Sequence, residues 1–525
     1  MHRYRNPVRL IIIGALVVCG CFFAPHLMWG QSLTGPDPAL QRTFIIVDDG
    51  RFHSLDPHTS SMASDAQLFT GLYEGLFSYH PYTLEPVYAL AENYKISRDR
   101  KKWTFTIRSG ATYSDGTPIT AEEFRRSWLR LLAPETNAPF ASLLDCIVGA
   151  KEYRKGQGSA DGVAITAKDL TLTVRLTEPC EHLNRILCNA AFSAVPEKSG
   201  VYSGPFVLTG ISASQVTLTK NFLYWDQQNV HIPGISYRLS DAYDENTFGF
   251  NVGDSHWVAG ALYMNQVYDT STIQLSAAFA TEYLFFQAQH EPFDDPAVRN
   301  AILLATPWDE LRGSAYYPCD SLVLPLTGYP TVIGVADTDV EEGRDLLIAA
   351  GYNPEDITLT YCANDTNYSR MQAEMLKANW EKLGITVVLE YENPYTYYDA
   401  VHTGKADMYS YSWIGDFADP MAFLELFRGD STLNDSGWTS AEYDRLLSEG
   451  ATISSVTERF KVLARAEQLL LDSGEILPIE HSVKVNYVDR EEIGGWFDNA
   501  MDIHPMKYFY FKQKTSSVPN LVLAR

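Results

Sequence analysis

From Asp294 onward, short runs of β-formers alternate with segments of helical period, and this alternation constrains the fold more than any other feature of the chain. Residues 296–305 read as a helix, 357–361 as a strand, 368–383 as a helix, 386–390 as a strand, 395–403 as a helix and 406–411 as a strand. Two further helices follow at 440–448 and 456–472. Strand–helix–strand order predicts an α/β unit on a largely parallel sheet. The first half reads differently. Residues 43–47, 103–108, 170–176, 206–208, 216–218 and 235–239 have strand character. A helix at 121–132 opens on Thr120-Ala-Glu-Glu123, a capping box. The change of pattern places a domain boundary near 280–295, and at about 150 residues per domain the 525 residues suggest two to four domains.

The N-terminus has the design of an export signal. Arg3, Arg5 and Arg9 precede nine apolar residues, Leu10 to Val18, too few to span a bilayer. Val18-Cys-Gly-Cys21 resembles a lipobox, which would make Cys21 the lipidated residue. The alternatives are cleavage near Gly30 and Gln31, or an uncleaved anchor reaching Trp29. Residues 31–42 then form a polar tether, and membrane contact is expected only through the leader or a lipid. Charge narrows the partners further. With 41 Lys and Arg against 65 Asp and Glu, the net charge is −24, and no basic face offers itself to nucleic acid or anionic lipid. Beyond the leader only Cys146, Cys180, Cys188, Cys319 and Cys362 remain; an odd number without C-x-x-C spacing reads as small buried hydrophobes.

No phosphate loop, nucleophile elbow, zinc-protease helix or dinucleotide fingerprint occurs, and the twelve histidines are scattered. Nothing in the sequence points to an enzyme, a cofactor or a resident metal. One segment stands apart: Tyr409-Ser-Tyr-Ser-Trp-Ile-Gly-Asp-Phe-Ala-Asp-Pro420, a strand running into W-x-x-D-F-x-D-P. It places aromatics and carboxylates at the C-terminal end of a strand, where open α/β sheets hold ligands. The same residues could equally be a strand end with Asp416 or Asp419 capping the next turn.

Several motifs resemble a known family. Ala91-Glu-Asn-Tyr-Lys-Ile96 followed by Trp103-Thr-Phe-Thr-Ile-Arg108 and Tyr113-Ser-Asp-Gly-Thr-Pro118, together with Ser54-Leu-Asp-Pro-His58, Leu72-Tyr-Glu-Gly-Leu76, Pro292-Phe-Asp-Asp-Pro296, Trp380-Glu-Lys-Leu-Gly-Ile385 and the Trp413-to-Pro420 segment, is similar to the family 5 extracytoplasmic solute-binding proteins. These are the oligopeptide- and dipeptide-binding receptors of ABC importers. The resemblance covers about 40–525. It implies an α/β, two-lobed, periplasmic-binding-protein-like fold (type II, cluster C) with an inserted domain. Lobe I would combine 43–72, 195–282 and 500–525, the insert would be 73–194, and lobe II 283–499. A peptide would add as a strand in the cleft between lobes that close by hinge motion.

Carried over residue by residue, the resemblance implies that Asp416 pairs with the peptide's α-ammonium, that Trp413 walls a side-chain pocket, and that the backbone of Ser412 and Ile414 pairs with the ligand strand. Ser61, Ala63, Phe140, Ser203 and Gly204 would line the cleft. Two departures concern the ligand carboxylate: Ser410 stands where relatives place an Arg, and the C-terminal segment reads Asp502-Ile-His-Pro-Met506, which leaves Arg370 as the nearby charged candidate. The expected function is peptide capture and delivery to an ABC permease by a monomer. The alternatives are a family 5 receptor for a metal chelate, haem, an oligosaccharide or an opine, and a surface adhesion protein on the same fold.

Overall fold

The computed structural model describes residues 42–48, 52–313 and 315–513; the leader with Cys21, residues 31–41 of the tether and residues 514–525 lie outside the described residues. Ten strands form one sheet. In chain order they are β1 (Phe44–Asp48), β2 (Phe206–Ser212), β3 (Gln215–Lys220), β4 (Gly234–Leu239), β5 (Trp257–Ala259), β6 (Ile273–Phe286), β7 (Thr358–Asn364), β8 (Thr386–Glu392), β9 (Met408–Ile414) and β10 (Ile476–Val488). Their order across the sheet is β8-β7-β9-β6-β10-β5-β1-β4-β3-β2.

The expected largely parallel sheet is corrected by this layout. Only β1 with β4 and β5, and β7 with β8 and β9, run parallel. The other neighbours are antiparallel. The physical reason is that β6 runs antiparallel between β9 and β10, separating strands that the helices after β9 connect in one direction. Strands β6 and β10 are 14 and 13 residues long and pair with each other over most of that length. In β6, residues 273–277 face 483–487 of β10, and 281–285 face 476–481, with the register shifting between the two stretches. Such an irregularity increases local twist and bend. The boundary expected near 280–295 thus falls on a strand that continues through it.

Residues 91–175 build a separate antiparallel sheet, in the order Ala91–Ile96, Lys102–Ile107, Thr171–Arg175, Ile165–Lys168. The helix Ala121–Leu132 covers it, burying Phe124, Trp128, Leu131 and Leu132 at the spacing of one helical face. Its expected capping box does not form. The Thr120 side chain makes no cap hydrogen bond, and the Glu123 carboxylate instead accepts from Tyr113 Oη at 3.2 Å and pairs with Arg126. Cys146, Cys180, Cys188, Cys319 and Cys362 are free thiols, all buried except Cys146.

The small sheet and the half of the large sheet that holds β9 are packed together. One apolar core runs from Phe105 and Trp128 through to Trp413, Phe423 and Tyr443. Polar contacts close the seam. Arg154 donates to the Asp430 carbonyl at 2.7 Å, Arg100 to the Thr452 carbonyl at 2.9 Å, and the Thr432 N–H to Ser142 Oγ at 3.1 Å.

Candidate functional site

The β9 strand ends in the segment that stood apart in the sequence. On one side β9 pairs with β6 along its whole length, from Met408 opposite Phe286 to Ile414 opposite Ala280. On the other side β7 accompanies it only at Met408 and Tyr409. The Gly415 N–H donates to the Phe279 carbonyl at 2.8 Å, so every second residue back, Trp413 and Tyr411, directs its backbone groups toward β6. The N–H and C=O of Ser410, Ser412 and Ile414 therefore point out of the opposite edge. Tyr397 closes that edge at Ser410: its Oη accepts the Ser410 N–H and donates to the Ser410 carbonyl, both at 2.9 Å. Beyond Ser410, among the described residues, no strand covers the edge at Ser412 and Ile414.

Trp413 lies on the other face of the strand. It is buried, donates Nε1–H to the Ala422 carbonyl at 3.0 Å and stacks on Tyr411 with centroids 6.0 Å apart. Gly415 then lets the chain pass against Phe279, because a Cβ there would lie 2.5 Å from that ring. The next residue is Asp416. Its carbonyl accepts from Tyr79 Oη at 2.8 Å, which ties this loop to the segment preceding the small sheet. The residue keeps part of its surface exposed, yet its Oδ2 is cut off from solvent and has no hydrogen-bond partner among the described residues. Burial without a compensating charge pushes the Asp416 carboxyl well above the usual carboxylate range.

Asp419, three residues on, has the opposite environment. Arg459 grips it with two bonds, Nη1 to Oδ2 at 2.7 Å and Nη2 to Oδ1 at 2.6 Å, and its Oδ1 accepts the Met421 N–H at 3.0 Å. Both partners are buried, and the Arg459 guanidinium holds the Asp419 carboxyl below its usual range against the opposing effect of burial. One acid of the motif is thus fully paired within the protein, and the other has no cation partner among the described residues.

The remaining candidates sit on other elements. Ser61 is half-buried, and Ala63 is the exposed first residue of the helix Ala63–Leu72. Phe140 is buried beside Pro139, whose carbonyl accepts from Thr432 Oγ1 at 2.5 Å. Ser203 and Gly204 pack on the end of the helix Ala63–Leu72: Ser203 Oγ accepts the Glu74 N–H at 3.0 Å, and a Cβ on Gly204 would meet the Leu72 carbonyl carbon at 2.6 Å. Arg370 is exposed, bonds Asp365 at 2.5 Å and lies 3.8 Å over the Tyr391 ring.

Other groups near the edge escaped sequence reasoning. Glu282 of β6 lies directly across from Ser412 on one side and from Glu480 of β10 on the other. Burial and the facing Glu480 push its carboxyl up to about 7, with Lys484 acting in the opposite sense. The signal was present, since Glu282 is the only acid in the apolar run from Ala277 to Phe286. Tyr398 lies beside Tyr411, with centroids 5.3 Å apart.

A family model described as bacterial extracellular solute-binding proteins, family 5 middle, matches residues 85–435. The dipeptide-binding protein DppE of Bacillus subtilis is 28% identical over 466 residues, covering 82% of this chain and 83% of its own. The periplasmic oligopeptide-binding protein OppA of Salmonella typhimurium is 26% identical over 535 residues, covering 95% and 96%. Among solved structures, the murein tripeptide binding protein MppA of Escherichia coli superposes with a TM-score of 0.80 at 26% identity, over 90% of this chain and 99% of that one. The unliganded open form of MppA superposes with a TM-score of only 0.63, over 89% and 97%, again at 26% identity.

Proposed function

The chain belongs to the bacterial extracellular solute-binding proteins of family 5, and from that premise we propose that it captures oligopeptides in a cleft along β9 and passes them to an ABC importer permease. The observation that carries this reading is the pairing of an open strand edge at Ser412 and Ile414 with an uncompensated acid at Asp416, one strand-end away. A peptide strand satisfies both. Its backbone hydrogen bonds to the edge are independent of sequence, and its α-ammonium supplies the charge-assisted partner that Asp416 lacks. Trp413 backs the strand from the opposite face. Relatives named for dipeptides, oligopeptides and a murein tripeptide support the same ligand class.

In the partition we propose, the described residues of 43–72, 195–282 and 500–525 form lobe I, those of 73–194 the inserted domain and those of 283–499 lobe II. Strands β6 and β10 are the hinge, and the shift in their register marks where it bends. The better superposition on one MppA structure than on its open form, together with the continuous core across the seam, supports a closed arrangement here. The protein acts outside the cytoplasm as a monomer, either free in the periplasm after cleavage near Gly30 or held by its leader or by a lipid on Cys21. Native mass spectrometry of the purified protein tests the ligand class. A ladder of peptide masses is expected; a single non-peptide mass would overturn the reading.

A further inference from the structure

We propose that Glu282 makes this cleft selective for a basic side chain at one position of the bound peptide. The inference rests on the peptide reading and adds to it a side-chain preference. Its basis is the register of three strands. Ser412, Glu282 and Glu480 lie side by side across β9, β6 and β10, so their side chains share one face of the sheet. Ser412 is also a residue whose N–H and C=O leave the open edge. A ligand residue in register with it projects its side chain onto that same face, beside Ser412 and then Glu282.

Distances decide which side chains can respond. Adjacent strands are about 4.8 Å apart, so the ligand residue's backbone lies two spacings, roughly 10 Å, from that of Glu282. Ser412 is exposed and too small to block the way. A Lys or Arg reaches across it to the Glu282 carboxylate, whereas a short polar side chain does not. An acidic side chain would be added to two carboxylates already facing one another.

No cation among the described residues is in contact with the Glu282 carboxylate, and Lys484 acts on it only from a distance. Glu282 makes no ion pair among the described residues, and Lys484 is not within ion-pair distance of it. Glu480 is partly engaged, accepting the Tyr316 N–H at 3.1 Å. Two like charges directly opposite on neighbouring strands are destabilising unless something positive joins them. Because strand side chains alternate between faces, the preference should hold at one interior position and vanish at its neighbours.

The test is calorimetry with tri-alanine and its single substitutions to Lys, norleucine and Glu at each position, on wild type, Glu282→Gln and Glu282→Lys. Melting curves without peptide report whether each variant is folded. In wild type, Lys should bind about 10- to 100-fold more tightly than norleucine at one position only, the range expected of a hydrogen bond to a charged group. That ratio should fall toward one in Glu282→Gln, and Glu282→Lys should favour the Glu peptide at the same position. A Lys advantage absent from every position, or one that survives Glu282→Gln, would overturn the inference while leaving peptide binding intact. If no tripeptide binds, tri-alanine included, the peptide reading itself fails and this inference fails with it.

Discussion

Replacing Asp416 should move ligand affinity and ligand-free stability in opposite directions. Its Oδ2 is buried and bonded to nothing among the described residues, and its carboxyl is raised well above the usual range by burial alone. A carboxyl raised by folding contributes stability that is complete below its unfolded pKa and is lost as pH rises through the folded value. At neutral pH it is therefore a liability to the free protein, and Asp416→Asn should leave the melting temperature unchanged or raise it. The Tyr79 bond is retained, because it uses the backbone carbonyl. Binding should suffer. Removing one member of a buried charge pair costs about 3–5 kcal/mol, or roughly two to four decades in Kd. Asn retains a neutral acceptor and should lose less than Ala. N-acetylation of the peptide removes the other member, so the acetylated peptide should distinguish wild type from Asp416→Ala far less than the free amine does. Calorimetry on the four protein–peptide combinations measures this coupling. In buffers of differing ionisation enthalpy it should also register proton release on binding, since the acid must ionise to meet the ammonium. Equal losses for free and acetylated peptide, or a variant that melts several degrees lower without ligand, would refute the reasoning.

Arg459→Met leaves Asp419 buried without its partner and should lower stability by about 3–5 kcal/mol in urea denaturation, with free and acetylated peptides affected alike. Glu467 is fully buried, accepts the Leu322 and Val323 N–H groups at 2.8 Å, and is pushed up to about 7 by desolvation. Its contribution is complete below about pH 4.5 and falls away as pH rises through 7. Glu467→Gln should therefore gain on wild type by on the order of 3 kcal/mol between pH 4.5 and 8, as read from denaturation curves at both ends.

How much of this was legible in the sequence depends on the range of the interactions. The helices at 121–132 and 456–472 and strands such as β3 and β4 follow from local periodicity, and the structure places them within a residue or two of expectation. The capping box at Thr120 is equally local and still did not form, because Tyr113 and Arg126 compete for the Glu123 carboxylate. The segment ending in Asp416 and Asp419 was visible as a motif, but two acids three residues apart look alike in one dimension. Arg459, forty positions away, makes one a structural ion pair and leaves the other uncompensated.

The sequence by itself determined the α/β character of the second half, the β-rich character of the first, and the strand-end motif with its two acids, since period and turn chemistry act over a few residues. Only the tertiary structure decided that β6 and β10 pair over most of their length, that β7 leaves β9 after Tyr409, and that Glu282 faces both Ser412 and Glu480. These are matters of register between strands whose paired residues lie as far apart in the chain as Ile273 and Tyr487. Register is set by which faces pack against the core, and a chain read one residue at a time does not contain that choice.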